Sequence, residues 1–125
     1  MSSAGTPVYL SVVIPCYNEA RNLERGVLEE VHQFLSQQLY TWEVIVVDDG
    51  STDDSRQLVE SRIAGKSGFS LLSIVHGGKP AAVWAGIQAA QGEIVLFTDM
   101  DQSTPIHEVD KLLPWYDQDF QVVIG

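Results

Sequence analysis

Compact apolar runs with the character of β-strands alternate along this 125-residue chain with segments of helical periodicity. Strands are predicted over residues 8–14, 42–47, 69–75, 93–98 and 120–124, with helices over about 19–39, 52–64, 81–90 and 105–116. Because parallel strands need a helical crossover between them, this alternation predicts a mostly parallel sheet covered by helices. The expected fold class is α/β in three α/β/α layers, and the length fits one domain.

Two pairs of aspartates directly follow apolar strands. Asp48 and Asp49 come after the second predicted strand, and Asp99 and Asp101 come after the fourth. Open α/β sheets bind ligands in the crevice outside the carboxyl ends of their strands, and carboxylate oxygens suit Mg²⁺ or Mn²⁺ bridged to phosphates. The two pairs therefore predict a divalent metal with a nucleotide-like ligand. The alternatives are an Asx-turn before a capped helix at the first pair and two surface aspartates in a loop at the second.

Two other strand ends carry side chains suited to a nucleotide. Residues 15–19 follow the first strand, where Tyr17 can stack and Glu19 adds a carboxylate, although the run alone is more typical of a turn with a helix-capping group. The Gly-Gly-Lys run at residues 77–79 opens a predicted helix, where exposed amides and the lysine could contact a pyrophosphate. The P-loop spacing is absent, so a glycine turn is the alternative.

The charge and the cysteine content restrict the partners and the setting. With 17 acidic and 7 basic residues the net charge is −10, which argues against nucleic acid or an anionic membrane surface as the main partner. The one cysteine, Cys16, excludes an intrachain disulfide and favours a reducing, cytoplasmic setting. Without an activating neighbour in sequence, it is expected to be a packed thiol. Neither a signal peptide nor a membrane span is expected in this chain.

The ordered set of motifs resembles one known family. The segments that carry the resemblance are Ser11-Val12-Val13-Ile14-Pro15-Cys16-Tyr17-Asn18-Glu19, then Val46-Val47-Asp48-Asp49-Gly50-Ser51-Thr52-Asp53, then Gly78-Lys79 and Asp99-Met100-Asp101. In order and spacing they resemble the inverting family 2 glycosyltransferases of GT-A fold, whose nucleotide-binding half is Rossmann-like. The run Asp101-Gln102-Ser103-Thr104-Pro105 is similar to a segment of the polyprenyl- and dolichyl-phosphate glucosyl- or mannosyltransferases.

The resemblance implies a UDP- or GDP-sugar donor and a metal, Mg²⁺ or Mn²⁺. By analogy, the nucleotide part of the donor would be contacted by Pro15, Tyr17, Glu19, Asp48, Asp49, Lys79 and Asp99. Asp101, with Asp99, would hold the metal on the diphosphate. An acceptor oxygen, possibly that of a polyprenyl or dolichyl phosphate, would attack the anomeric carbon from the opposite face with inversion.

The same resemblance implies that residues 1–125 are a single nucleotide-sugar-binding domain, truncated at its C-terminus. In this family the acceptor site and the remaining catalytic groups lie in a C-terminal half, so no catalytic residue is assigned here. We expect weak nucleotide binding and little or no transfer by this chain alone. The full-length protein would be cytoplasmic or at the cytoplasmic face of a membrane.

Three residues depart from the family pattern, and they keep other interpretations open. Pro80 stands where the family often has glycine, Trp84 where it often has arginine, and His76 where it often has asparagine. A nucleotide-binding scaffold without activity is one alternative, and a nucleotidyltransferase is another. The second usually carries a glycine-rich basic loop after strand one, which this chain lacks. A receiver-like signalling module or an NAD-binding domain fits the positions of the motifs less well.

Overall fold

The computed structural model describes residues 7–101 and 122–124. Five strands and four helices lie in these ranges. In chain order they are β1 (Leu10–Cys16), α1 (Ala20–Glu24), α2 (Val27–Ser36), β2 (Trp42–Asp48), α3 (Ser55–Ile63), β3 (Phe69–Ser73), α4 (Lys79–Ala89), β4 (Ile94–Phe97) and β5 (Val122–Ile124). The helix predicted over residues 105–116 lies outside the described residues. None of the helices in these ranges is long and apolar enough to cross a membrane.

The strands form one parallel sheet in the order β3-β2-β1-β4-β5. The chain builds outward from β1 to β3 and then crosses back to place β4 on the other side of β1. Such a reversal leaves a crevice beyond the carboxyl ends of the two strands that flank it. The predicted α/β class is confirmed, and the strand order locates the crevice between β1 and β4.

The sheet has an apolar layer on each face because alternate residues of a strand point to opposite sides. Leu10, Val12 and Ile14 of β1 pack in the larger cluster, together with buried residues of the first three helices. Val13 packs on the other face, in a smaller cluster that includes Ala82 of α4. The α/β/α layering follows from strands that are apolar on both sides.

Gly86 sets the distance between α4 and the sheet. A Cβ atom at this position would lie 2.3 Å from Cγ1 of Val13, so only glycine lets the helix approach β1 this closely. The N-terminus of α4 follows the carboxyl end of β3 after the short segment of residues 74–78.

The long helix predicted from about residue 19 to 39 is wrong, because the structure breaks it into α1 and α2. Gly26 has a φ of 92° and precedes the first turn of α2, a backbone conformation that glycine adopts without steric cost. The second helix ends at Ser36. Leu23 of α1 and Val27 of α2 are both buried in the larger cluster.

Pro15 was predicted to end the first strand, but it lies inside β1. The carbonyl of Cys16 accepts from the amide of Asp49 beyond β2, whereas the carbonyl of Val13 accepts from Thr98 beyond β4. Alternate residues of β1 therefore face opposite neighbours, and Pro15 faces the β4 side. Pairing with β4 ends at Val13. A proline is tolerated there because no ladder bond needs its missing N–H.

Candidate nucleotide-binding site

A cavity of about 210 Å³ opens at the carboxyl edge of the sheet, where β1 and β4 part. Its lining includes most of the residues predicted to contact a nucleotide: Pro15, Tyr17, Glu19, Asp49, Lys79 and Asp99. Cys16, His76, Gly78 and Met100 complete the wall. Of the other predicted site residues, Asp48 and Asp101 are not part of this lining. Segments far apart in sequence thus meet at the crevice that the strand order creates.

The loop after β1 is fastened to the loop after β2 by Asn18. Its side-chain oxygen accepts from the backbone amides of Thr52, at 2.8 Å, and of Asp53, at 3.2 Å. The backbone φ of Asn18 is 53°, a left-handed conformation that asparagine tolerates better than most residues. A second tie joins the amide of Glu19 to the hydroxyl of Ser55 at 2.7 Å. These bonds hold Tyr17 and Glu19 at the cavity.

Asp49 forms hydrogen bonds mainly with the loop before α4. Its carboxylate accepts from the amides of Gly77, at 2.8 Å, and Gly78, at 3.0 Å, and only 3% of its side chain is exposed. The sequence predicts that these two glycine amides contact a pyrophosphate, but in the structure they donate to Asp49 instead. Gly50 has a φ of 69°, and a Cβ atom there would lie 2.9 Å from the amide nitrogen of His76. These hydrogen bonds and this close packing hold residues 49–50 and 76–78 together.

His76 lines the cavity, although from the sequence it stands out only as a departure from the family pattern. Its ring stacks on Tyr17 with centroids 4.4 Å apart and planes 25° from parallel. Its Nδ1 lies 3.0 Å from both the carbonyl oxygen and Oδ2 of Asp49. A histidine beside a pair of glycines carries no local signal of this kind, because its partners Asp49 and Tyr17 lie in loops 27 and more residues away.

Lys79 and Asp99 form an ion pair across the mouth of the cavity. The lysine side chain is about half exposed, and its ammonium lies 5.9 Å from the centre of the Phe97 ring. Lys79 is the first residue of α4, so it adds a positive charge where the helix dipole is already positive. This end of the cavity is suited to an anion.

Glu19 lines the same cavity and has other carboxylates near it. Burial raises the pKa of Glu19, and the neighbouring carboxylates of Asp101 and Asp99 raise it further, against the lowering effect of its hydrogen bond from Asn22. The side chain of Asn22 donates to Glu19 at 2.8 Å. Within residues 7–101 and 122–124, no three His, Cys, Asp or Glu side chains are arranged to hold a metal ion. A metal here would need oxygen ligands from a bound phosphate.

Asp48 lies behind the cavity, next to Cys16. Its side chain is 3% exposed, and Oδ2 accepts from the amide of Ser51 at 3.3 Å, while Oδ1 has no partner among the described residues. Burial, and then the charge of Asp48, raise the pKa of the Cys16 thiol to about 12. The thiol is therefore protonated at neutral pH, which agrees with the interpretation of Cys16 as a packed residue. The contact of Asp48 with a nucleotide stays a prediction.

The family model for glycosyl transferase family 2 matches residues 11–125 of the chain. The chain belongs to this family. A dolichyl-phosphate beta-glucosyltransferase of Trichomonas vaginalis is 39% identical over 107 residues, which are 81% of this chain and 32% of the relative. The chain spans about a third of the length of the curated relatives it matches.

Solved structures of two glycosyltransferases have the same fold. A mannosyltransferase of Pyrobaculum calidifontis, in complex with GDP-Man and Mn²⁺, matches with a TM-score of 0.66 and 30% identity, over 84% of this chain and 30% of that one. Glucosyl-3-phosphoglycerate synthase of Mycobacterium tuberculosis, in complex with Mn²⁺, UDP and glucosyl-3-phosphoglycerate, matches with a TM-score of 0.62 and 30% identity, over 87% and 38%. The family 2 chain therefore has the GT-A fold that its motifs predicted.

Proposed function

We propose that this chain is the donor-binding part of an inverting, metal-dependent glycosyltransferase that uses a UDP- or GDP-sugar. The observation that carries the proposal is the cavity between β1 and β4, where Tyr17, Glu19, Lys79 and Asp99 converge. Relatives with GDP-Man or UDP bound support a nucleotide-sugar donor. In this proposal the domain of residues 1–125 lacks the acceptor-side residues, and its own transfer activity is low.

The acceptor we propose is a polyprenyl phosphate. The support is the name of the relative from Trichomonas vaginalis, a dolichyl-phosphate glucosyltransferase. A phosphate oxygen of such a lipid is already anionic, so its attack on the anomeric carbon needs no strong base from the protein. A lipid acceptor would place the full-length protein at a membrane, and the single buried thiol fits its cytoplasmic face.

The charges around Glu19 would favour a divalent cation. Burial, and then the charges of Asp101 and Asp99, raise the pKa of Glu19, and a cation would relieve the repulsion among these carboxylates. Asp101, with Asp99, would hold Mg²⁺ or Mn²⁺, which offsets the charge of the leaving diphosphate. Lys79 would exchange its contact with Asp99 for a phosphate oxygen, at the positive end of α4.

The remaining residues shape the nucleoside end. Tyr17 offers a ring face to the base or ribose, and Pro15 adds an apolar surface beside it. Asp49 holds the loop of residues 76–78 in the conformation that closes the cavity. Asp48 is proposed as a second contact in the same region. Because other residues cover Asp48, a nucleotide would contact it only past those residues.

A nucleotide-binding scaffold without activity is the second candidate, and one observation favours it. Lys79 is paired with Asp99, so a phosphate must compete with a carboxylate for this ammonium. Trp84 does not add to this competition for Lys79, because Trp84 lines a separate apolar groove on α4 rather than the cavity. Binding of a sugar nucleotide by the full-length protein without turnover would favour the scaffold.

The test is the thermal stability of the chain with UDP, GDP, UDP-glucose or GDP-mannose, each with and without Mn²⁺. A ligand at about 100 times its Kd adds about 2.7 kcal/mol to the stability of the native state. We expect a rise in Tm that requires Mn²⁺ and is lost in Asp101→Asn. The matched control is Glu60→Gln, which removes one exposed carboxylate of α3 outside the cavity and should keep the shift. Equal shifts in the two variants would count against the assigned metal site.

A further inference from the structure

An apolar groove of about 370 Å³ lies on α4 beside the proposed donor site. Small-molecule pockets have volumes of about 300–1,000 Å³ and are lined mainly by hydrophobic and aromatic side chains. This groove, called the α4 groove below, meets both conditions, because every residue of its described lining except the lysine is apolar. The lining consists of Lys79, Pro80, Val83, Trp84, Ile87 and Phe97.

The α4 groove is elongated along the helix. Lys79, Val83 and Ile87 are four residues apart, a spacing that stacks side chains above one another on one face of a helix. Between residues 79 and 87 an α-helix rises about 12 Å. Phe97 of β4 completes the lining. The shape suits a long, narrow apolar ligand rather than a compact one.

Trp84 exposes a large apolar surface in this groove. The residue is 60% exposed, and it is continuous with the partly buried Val83 and Ile87. Apolar side chains exposed singly are common, whereas a contiguous apolar patch marks a binding surface. Pro80 and Trp84 are two of the three departures from the family pattern, and both lie here. The apolar character of the α4 groove therefore comes in part from residues in which this chain departs from that pattern.

Lys79 joins the α4 groove to the donor cavity, since its side chain lines both. Its ammonium lies 5.9 Å from the centre of the Phe97 ring and pairs with Asp99. The chain has 17 acidic residues, but none of them falls within residues 61–92, a run that includes all of α4. A ligand along this helix thus meets no carboxylate of α4, and it meets a cation where the groove opens into the cavity.

We propose that the α4 groove binds the prenyl chain of a lipid phosphate, with the phosphate at Lys79. The inference rests on the proposed function, which supplies the class of acceptor. The chain would lie along α4 against Val83 and Trp84, and the phosphate would enter the cavity beside the sugar donor. An ammonium has three N–H donors, so Lys79 can contact a lipid phosphate and a donor phosphate together.

The test uses farnesyl phosphate as a short prenyl phosphate, with binding measured by calorimetry. Inorganic phosphate and vesicles of phosphatidylcholine alone are the comparison ligands. Trp84→Gln removes the exposed ring from the α4 groove. The matched control is Leu39→Gln, which changes an exposed apolar side chain between α2 and β2, outside the groove. Urea midpoints show whether each variant keeps the stability of the wild type.

The wild-type chain is expected to bind farnesyl phosphate but neither inorganic phosphate nor the vesicles. Trp84→Gln should weaken binding of farnesyl phosphate about tenfold by removing apolar contact area, whereas Leu39→Gln should keep the wild-type affinity. Lys79→Gln should also weaken it about tenfold, through loss of a hydrogen bond to a charged group. The nucleotide-dependent shift in Tm should persist in Trp84→Gln, because Trp84 does not line the donor cavity.

Three results would overturn the inference. Failure of the wild type to bind farnesyl phosphate would mean that something else fills the α4 groove. Equal affinities of Trp84→Gln and Leu39→Gln would place the ligand elsewhere. Binding to phosphatidylcholine vesicles that is lost in Trp84→Gln would assign the groove to a bilayer surface.

The donor site is judged separately from the α4 groove. A nucleotide-dependent rise in Tm without binding of farnesyl phosphate would overturn the inference and leave the donor proposal in place. Binding of farnesyl phosphate that is weakened in Trp84→Gln, without any nucleotide-dependent shift, would support the groove and count against the donor site.

Discussion

Replacing Asp49 by asparagine is expected to destabilise the protein, whereas the same change at the adjacent Asp48 is not. The two residues are almost equally buried, with 2% of Asp49 and 3% of Asp48 exposed, and each substitution removes one negative charge at nearly constant volume. They differ in their partners. Asp49 has three donors within 3.0 Å, whereas Asp48 has one amide at 3.3 Å and one oxygen without a partner among the described residues.

The magnitude follows from that count of donors. A hydrogen bond to a charged group contributes about 1.5–3 kcal/mol, and a buried donor left unpaired costs about 1–3 kcal/mol. Asparagine at 49 keeps one acceptor oxygen but turns its NH₂ toward another donor, so we expect a loss of about 2–4 kcal/mol. Asparagine at 48 keeps the weak bond from Ser51 and removes a poorly compensated buried charge. Its effect should stay within about 1 kcal/mol, neutral or stabilising.

Urea unfolding of the two variants, followed by tryptophan fluorescence, measures both changes as shifts of the midpoint at constant m. Hydrogen exchange of the Gly77 and Gly78 amides gives a local readout, which Asp49→Asn should accelerate and Asp48→Asn should leave unchanged. Equal destabilisation by the two substitutions would refute the reasoning, because it would mean that burial of the charge, rather than its donors, decides the cost.

Two further perturbations test the site and its support. Because the folded-state pKa of Glu19 lies above its unfolded value, Glu19 stabilises the fold below the unfolded pKa and loses that contribution as pH rises toward the folded pKa. The stability of the wild type relative to Glu19→Gln should therefore fall as pH rises from the unfolded toward the folded pKa of Glu19; a constant or rising difference in urea midpoints would contradict this. Gly86→Ala should cost about 1–3 kcal/mol through overlap with Val13. In a Val13→Ala background the same change should become neutral or stabilising, and additive values in the double-mutant cycle would contradict the overlap.

The fold class could be predicted from the sequence because the patterns that indicate strands and helices are local. Strands that are apolar on both faces and alternate with helices admit few arrangements other than a parallel sheet with two helical layers. The break at Gly26 was missed because an isolated glycine in an amphipathic segment is tolerated inside many helices. Its left-handed φ of 92° is a property of the folded backbone that the residue type permits but does not require.

The sequence predicted that the motif residues lie at one edge of the sheet, but not which hydrogen bonds their side chains make. Most of the motif residues at the strand ends line one cavity, since parallel strands bring their carboxyl ends to one edge, but Asp48 and Asp101 do not line it. What each side chain binds was not predictable, because the partners come from other loops. Asn18 contacts residues 34 and 35 positions away, and Asp49 contacts amides 28 and 29 positions away. Stacking of His76 on Tyr17 likewise needs three loops in place.

Pro15 has a consequence for the entry of a ligand into the crevice. Any other residue at this position would point a backbone N–H toward the gap where β4 has turned away, and water would solvate it. A ligand that displaced this water would have to replace the lost bond or leave the amide dry, at a cost of about 1–3 kcal/mol. With proline the wall of the gap carries no such group. The cavity can therefore be emptied of water at that point without a penalty from the main chain.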